Sequence, residues 1–258
     1  MSVNIIDSQD NSENKLVKEI VSAINRAISE DVFDDYQRSG LDRQHSNSYN
    51  QLIWDHINDN LSHIADDHII GGYTKRGFWN VYSMFDTQTG YIYSFMREKR
   101  FFQIANEHRK KHKKNTHYIT ALAFECNPDL EPIQMSFFPI KPAKAETKAI
   151  VDSICNDLSI PFDIVKGHRV ILFETKHGAL SSVRCCTVDR TLEIHDSIDL
   201  TSYININESI IIEEIDDPAT RINNPTLGLK LRDKAKKKKE LNDNIVLVDK
   251  DKEVQKTK

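Results

Sequence analysis

The chain opens with a polar lead-in and then sets Leu16, Ile20, Ala23, Ile24, Ala27 and Ile28 at the spacing that gathers them on one helical face. Ser12 stands where a cap belongs, so the spacing predicts an amphipathic helix of about four turns. After a polar interval, Tyr49, Leu52, Ile53, Ile57, Leu61 and Ile64 repeat the pattern with Trp54 beside the stripe, predicting a second helix. From His68 the period changes. Aromatic and β-branched residues dominate, and Gly71, Gly72 and Gly77 interrupt any helix. Residues 78–86 and 91–98 flank Asp86-Thr87-Gln88-Thr89-Gly90, which reads as an antiparallel hairpin. Helical spacing returns over 99–114, strongly basic at its end, and more weakly over 117–126. Residues 127–144 contain Pro132, Pro139 and Pro142, each costing a helix interior about 3 kcal/mol, so this segment is extended or irregular. A helix over 144–158 follows, with Ala149, Ile150, Ile154 and Leu158 inward, and then strand-like runs at 169–173, 182–188, 191–195 and 210–212.

These elements predict an α+β protein. Residues 1–130 form N-terminal helices packed on an antiparallel aromatic hairpin; 131–143 form an exposed, proline-rich linker. Residues 144–216 form a β-rich α+β part packed on the first, and 217–258 a charged, largely disordered tail. The only low-complexity run is Lys236 to Lys239.

A chain of 258 residues makes one large domain or two small ones and needs no disulfide staples. Its 39% hydrophobic and 29% charged residues, with a mean hydropathy of −0.53, exclude collagen, coiled-coil and membrane classes. No long apolar run and no basic-then-apolar lead appears, so the expected location is the cytoplasm, without membrane contact. Cys126, Cys155, Cys185 and Cys186 show no metal-type pairing and read as reduced, structural thiols. Residues 230–258 hold 11 basic against 6 acidic side chains, a net of +5. The chain's net charge is −4, which leaves −9 for residues 1–229. An acidic body argues against nonspecific coating of nucleic acid, so nucleic-acid contact is expected to be indirect or weak at most.

The sharpest local feature is Gln134-Met135-Ser136-Phe137-Phe138, inside the proline-bounded linker. Prolines keep such a peptide out of helices and central strands. Two adjacent aromatics bring a large apolar area with few torsions to freeze, the aliphatic Met135 can seat in a second hollow, and the Gln134 amide can bond at a pocket rim. The pentapeptide resembles the bacterial sliding-clamp-binding motif of glutamine, an aliphatic residue, serine or aspartate, leucine, then phenylalanine or leucine, with Phe137 standing where leucine is usual. The blocks GFWNVYSMFD, GYIYSFMREKRF and HYITALAFECNPDL, with QMSFF, resemble a family of bacterial and prophage proteins over about residues 68–140. The pentapeptide is also similar to that of SocB-type toxins, which block DNA replication by occupying the clamp and are restrained by an antitoxin. The resemblance implies a toxin-like binder of the clamp, the DNA polymerase III beta subunit, with a possible protein antitoxin. It carries over at Gln134, Met135, Ser136, Phe137 and Phe138 alone, and it implies neither catalysis nor a cofactor.

The competing chemistry is a Mg²⁺-dependent nuclease. Asp163 precedes an apolar strand ending in Glu174-Thr175-Lys176, the order in which two carboxylates hold a metal and a lysine orients water. A solvated strand end accounts for the same residues. His108 and His112 stand four apart, but Arg109, Lys110, Lys111, Lys113 and Lys114 around them would repel a cation, so a basic helix end is the reading. The aromatics Phe78, Trp79, Tyr82, Phe85, Tyr91, Tyr93 and Phe95 have the chemistry to stack on bases, yet at hairpin spacing they read as a sheet face packed on helices.

Overall fold

The Leu16-to-Ile28 stripe is buried from end to end, but its helix outruns the apolar spacing. α1 spans Ile6–Arg26, passes through a wide π-helical turn at Ala27–Asp31 and continues as α2, Val32–Ser39. The cause lies in α3, Tyr49–Ser62, whose buried Asn60 plugs the wide turn. The Asn60 amide donates to the Ala23 carbonyl at 3.1 Å and to the Asp31 carboxylate at 2.7 Å, and it accepts from Arg26. Such side-chain insertion is a recognised origin of π turns and helix bends. The wide turn carries the apolar face on to Val32 and Tyr36, and Gly40, at φ 64°, closes α2 with a left-handed cap.

The structure is a computed structural model that describes residues 6–40, 48–64, 67–77, 79–109, 116–131 and 144–205, with side chains from Lys15 onward. The chain divides between Ile215 and Asp216, and the described residues lie in the first unit. Its strands are β1 Ile69–Arg76, β2 Trp79–Asp86, β3 Tyr91–Arg97, β4 Gly167–Lys176, β5 Ala179–Val188 and β6 Ile194–Asp199. They form one six-stranded sheet in the order β1-β2-β3-β4-β5-β6, antiparallel throughout except where β3 and β4 run parallel. That parallel step needs a crossover, supplied by α4 Glu98–His108, α5 Tyr118–Cys126 and α6 Lys144–Asp157. The protein is therefore α+β, with N-terminal helices and antiparallel hairpins in a mixed sheet. Where the sequence suggested a second part packed on the first, backbone pairing makes β4 to β6 the continuation of the same sheet. The strand expected over 191–195 starts later, at Ile194, because Thr191 and Glu193 are drawn into a turn around the Asp189 carboxylate. The strand expected over 210–212 and the tail lie outside the described residues.

Alternation assigns each strand residue to a layer. Met84, Tyr93, Phe95, Ile171 and Phe173 point to α1–α3, whereas Met96, Val170, Leu172, Cys186 and Val188 point to α4 and α5. Phe85 and Ile92 complete this second face against α5 and α6. Both faces of the central strands are thus covered, which explains the near-continuous apolar run Val170-Ile171-Leu172-Phe173. A bulge at Glu174/Thr175 lets Leu180 and Val183 face the same helical layer despite their odd spacing.

Candidate functional site

The linker that carries Gln134, Met135, Ser136, Phe137 and Phe138 lies outside the described residues, but both of its ends are fastened. After α5, the Asn127 amide takes the place of a ladder rung: it donates to the carbonyls of His168 and Val188 at 3.0 and 2.8 Å and accepts from the His168 amide at 2.8 Å. Arg190 holds the Pro128 carbonyl at 2.7 Å, and His195 Nε2 meets the Glu131 carbonyl at 2.6 Å. The outgoing strand of chain is thereby tied to the β5–β6 turn. On the return side, α6 begins at Lys144, whose carbonyl accepts from the Thr147 hydroxyl at 3.0 Å. Thr147 also donates to Glu125 of α5, and Glu146 accepts from the amide and hydroxyl of Thr116 at 2.8 and 2.9 Å.

The nuclease residues do not converge. Asp163 sits in a short 3-10 turn, Phe162–Ile164, ahead of β4, whereas Glu174 and Lys176 stand at the far end of that strand. Seven residues of strand at about 3.3 Å each separate Gly167 from Glu174 by over 20 Å, beyond the reach of one metal. Glu174 and Lys176 instead form an exposed ion pair at 3.7 Å. Among the described residues, no three His, Cys, Asp or Glu side chains gather to hold a metal. His108 closes α4, while His112 lies outside the described residues. The four cysteines are buried and none is in a disulfide. Burial raises the thiol of Cys126, that of Cys155 to about 11, and that of Cys186, so these stay protonated.

A feature that the spacing did not suggest lies between β2 and β3. β1 and β2 pair over their whole length to Arg76↔Trp79, and β3 follows β4 to Arg97↔Phe173. The β2–β3 ladder stops at Ser83↔Ser94, leaving Trp79–Tyr82 and Phe95–Arg97 unpaired with one another. Two-stranded ribbons twist more than broad sheets, and here the β1–β2 ribbon parts from β3. The parting opens a slot of about 350 Å³ through the sheet. Trp54, Asn58, Asn80, Tyr82 and Phe95 wall it toward α1–α3, and Trp79, Val81, Met96, Arg100 and Tyr118 wall it toward α4–α6.

Local chemistry shapes these walls. Tyr82 reaches its place because Gly71 is bare: a Cβ there would stand 1.8 Å from the Tyr82 hydroxyl oxygen. The Tyr73 and Tyr82 rings lie 4.9 Å apart, and burial, then Tyr73, pushes the Tyr82 phenol up to about 12. Burial also raises the Tyr118 phenol, partly offset by the Arg76 and Arg100 charges. Asn58 donates to the Asn80 carbonyl at 3.3 Å. Arg100 is exposed, bonded to Gln103 at 3.4 Å and 3.7 Å from the Glu107 carboxylate. The aromatic reading holds for Tyr82, Phe85, Tyr93 and Phe95, which are buried core; Trp79 departs from it at 51% exposure. Phe78 lies outside the described residues.

No helix among the described residues is long and apolar enough to cross a membrane. Neither a curated protein nor a solved structure matches the chain. The profile of a family of unknown function, DUF5986, matches residues 9–250, so the chain belongs to that family.

Proposed function

We propose that the protein is a toxin-like binder of the bacterial sliding clamp, the DNA polymerase III beta subunit. It presents Gln134-Met135-Ser136-Phe137-Phe138 and blocks replication by competing with other clamp clients for one pocket. The observation that supports this reading is the fastening of both flanks: a short recognition peptide that leaves from Glu131, held by His195, and returns at Lys144 into a first turn of α6 held by Glu125 and Thr116 has less backbone freedom to lose on docking. A protein antitoxin that covers the same peptide belongs to this proposal. Catalysis does not, since Asp163 stands apart from Glu174 and Lys176.

Calorimetric titration of the purified clamp tests it. Truncating one aromatic in a filled pocket costs about 2 kcal/mol, so Phe138→Ala is expected to weaken binding roughly thirtyfold with the fold intact. Unchanged affinity overturns the proposal. Glu174→Ala combined with Lys176→Ala is expected to leave clamp binding and any growth inhibition unaltered; loss of inhibition with binding intact favours the nuclease instead. A peptide of residues 129–141 is expected to bind one to two orders of magnitude more weakly than the whole chain, because it must order its own backbone. Equal affinity would mean that the anchors at Glu131 and Lys144 contribute nothing.

A further inference from the structure

We propose that the slot between β2 and β3 binds a nucleotide, with the base among the aromatic walls and the phosphate at the Arg100 mouth. This goes beyond the clamp reading and does not rest on it. Three observations carry it.

The first is shape and lining. A hollow of about 350 Å³ faced by Trp54, Trp79, Tyr82, Phe95 and Tyr118 suits one planar ring system with its sugar. The unpaired stretches of β2 and β3 are too short to accept a peptide as an added strand of useful length. The second is the polar complement. Asn58 and Asn80 bring amides to one wall, and no described residue partners the Asn80 side chain; a carboxamide matches the donor–acceptor edge of a base.

The third is charge. On a chain of net −4, the basic side chain that lines the slot is Arg100 in the first turn of α4, with Lys99 beside it; Lys75 and Arg76 stand at the end of β1, where it pairs with Trp79 and Asn80 of the wall, and Arg97 at the end of β3. The neighbouring Glu98 is engaged by Arg184, leaving its charge answered. Arg76 extends to the Ile150 carbonyl at 3.1 Å and keeps a buried Nε without a partner among the described residues. Arg97 is tied to Asn50 at 3.1 Å. Arg100 lines the slot itself, and its contact with Glu107 is a long, exposed one that a phosphate can displace. Aromatic walls, a carboxamide and a guanidinium at a basic mouth together select an anion that carries a flat polar ring.

Trp54 and Trp79 are the two tryptophans of the chain and both line the slot, so intrinsic fluorescence of the full-length protein reports occupancy directly. Titration with AMP, GMP, CMP and UMP is expected to quench saturably, with a dissociation constant below about 1 mM for at least one of them. Arg100→Gln is expected to weaken that nucleotide at least about tenfold while leaving the corresponding nucleoside unchanged, and Asn80→Ala to weaken both. Both positions are exposed, and a urea midpoint matching wild type confirms that each variant folds. An oligonucleotide such as dA8 or dT8 separates the sources: binding at least about tenfold tighter than the mononucleotide assigns the site to single-stranded nucleic acid, and equal or weaker binding assigns it to the free nucleotide. Absence of saturable quenching by every mononucleotide and oligonucleotide overturns the proposal. So does an Arg100→Gln variant that binds like wild type, or displacement by inorganic phosphate as effective as by the nucleotide.

Discussion

Replacing Asn127 with leucine is expected to destabilise the fold by about 3 to 5 kcal/mol, read as a lowered urea midpoint with an unchanged slope. The side chain is buried and its amide is spent on three backbone groups: the His168 carbonyl, the His168 amide and the Val188 carbonyl. Leucine has similar volume but can meet none of them, and each buried group left unpaired costs about 1 to 3 kcal/mol. The site has little room to rearrange, because Gly167 is pressed against Tyr91 and a Cβ there would lie 3.2 Å from the Asn127 oxygen. Aspartate is expected to fare no better, since it keeps the acceptor but turns a negative charge toward two carbonyl oxygens. A loss below about 1 kcal/mol would show that water replaces the amide and that the rung is dispensable.

Asn127 also marks where reading the sequence stops working. An asparagine between a helical pattern and Pro128 looks like the start of a loop, and nothing local says that it completes a ladder with residues 41 and 61 positions away. The elements themselves were readable. Aromatic and β-branched runs on either side of a glycine-ended turn set the β2–β3 hairpin, with Asp86 accepting from Gln88 and Thr89 in the turn and Gly90 at φ 78°, and the 3.6-residue period set α3 and α6. Periodicity reports which face is buried but not which partner buries it. The parallel pairing of β3 with β4 was invisible for that reason, since it joins residues on either side of three helices. The wide turn in the first helix was hidden because its cause, Asn60, stands in another helix and looks like an ordinary polar position there. The slot depends on where a ladder ends, and residues 79–86 and 91–97 are as rich in aromatic and β-branched side chains where they part as where they pair.

Protonation supplies the remaining large effect, and it too arises from a residue that carries no motif. His168 lies fully buried in β4, with Nε2 2.8 Å from the Ser94 hydroxyl of the neighbouring strand and Nδ1 without a partner among the described residues. Among the described residues no carboxylate faces it to stabilise a cation, and burial pushes the imidazole down to about 3. The folded state thus holds His168 neutral, whereas the unfolded chain takes up a proton near the ordinary value of about 6.5. Because the folded value is the lower one, the unfolded state binds more protons between the two, and stability is lost as pH falls through that window. The slope is about 1.4 kcal/mol per pH unit, so this one residue is expected to remove roughly 2.5 to 3 kcal/mol between pH 7 and pH 4.5. Carboxylates contribute their own slope, which a comparison subtracts: His168→Gln retains a hydrogen-bonding group for Ser94 but cannot titrate. Urea denaturation of both proteins at half-unit steps from pH 7 to pH 4.5 is expected to give curves that converge as the pH drops, with wild type the more stable at pH 7. Parallel curves would mean that His168 is protonated as readily in the folded protein as in the unfolded chain, and the neutral buried imidazole would have to be given up.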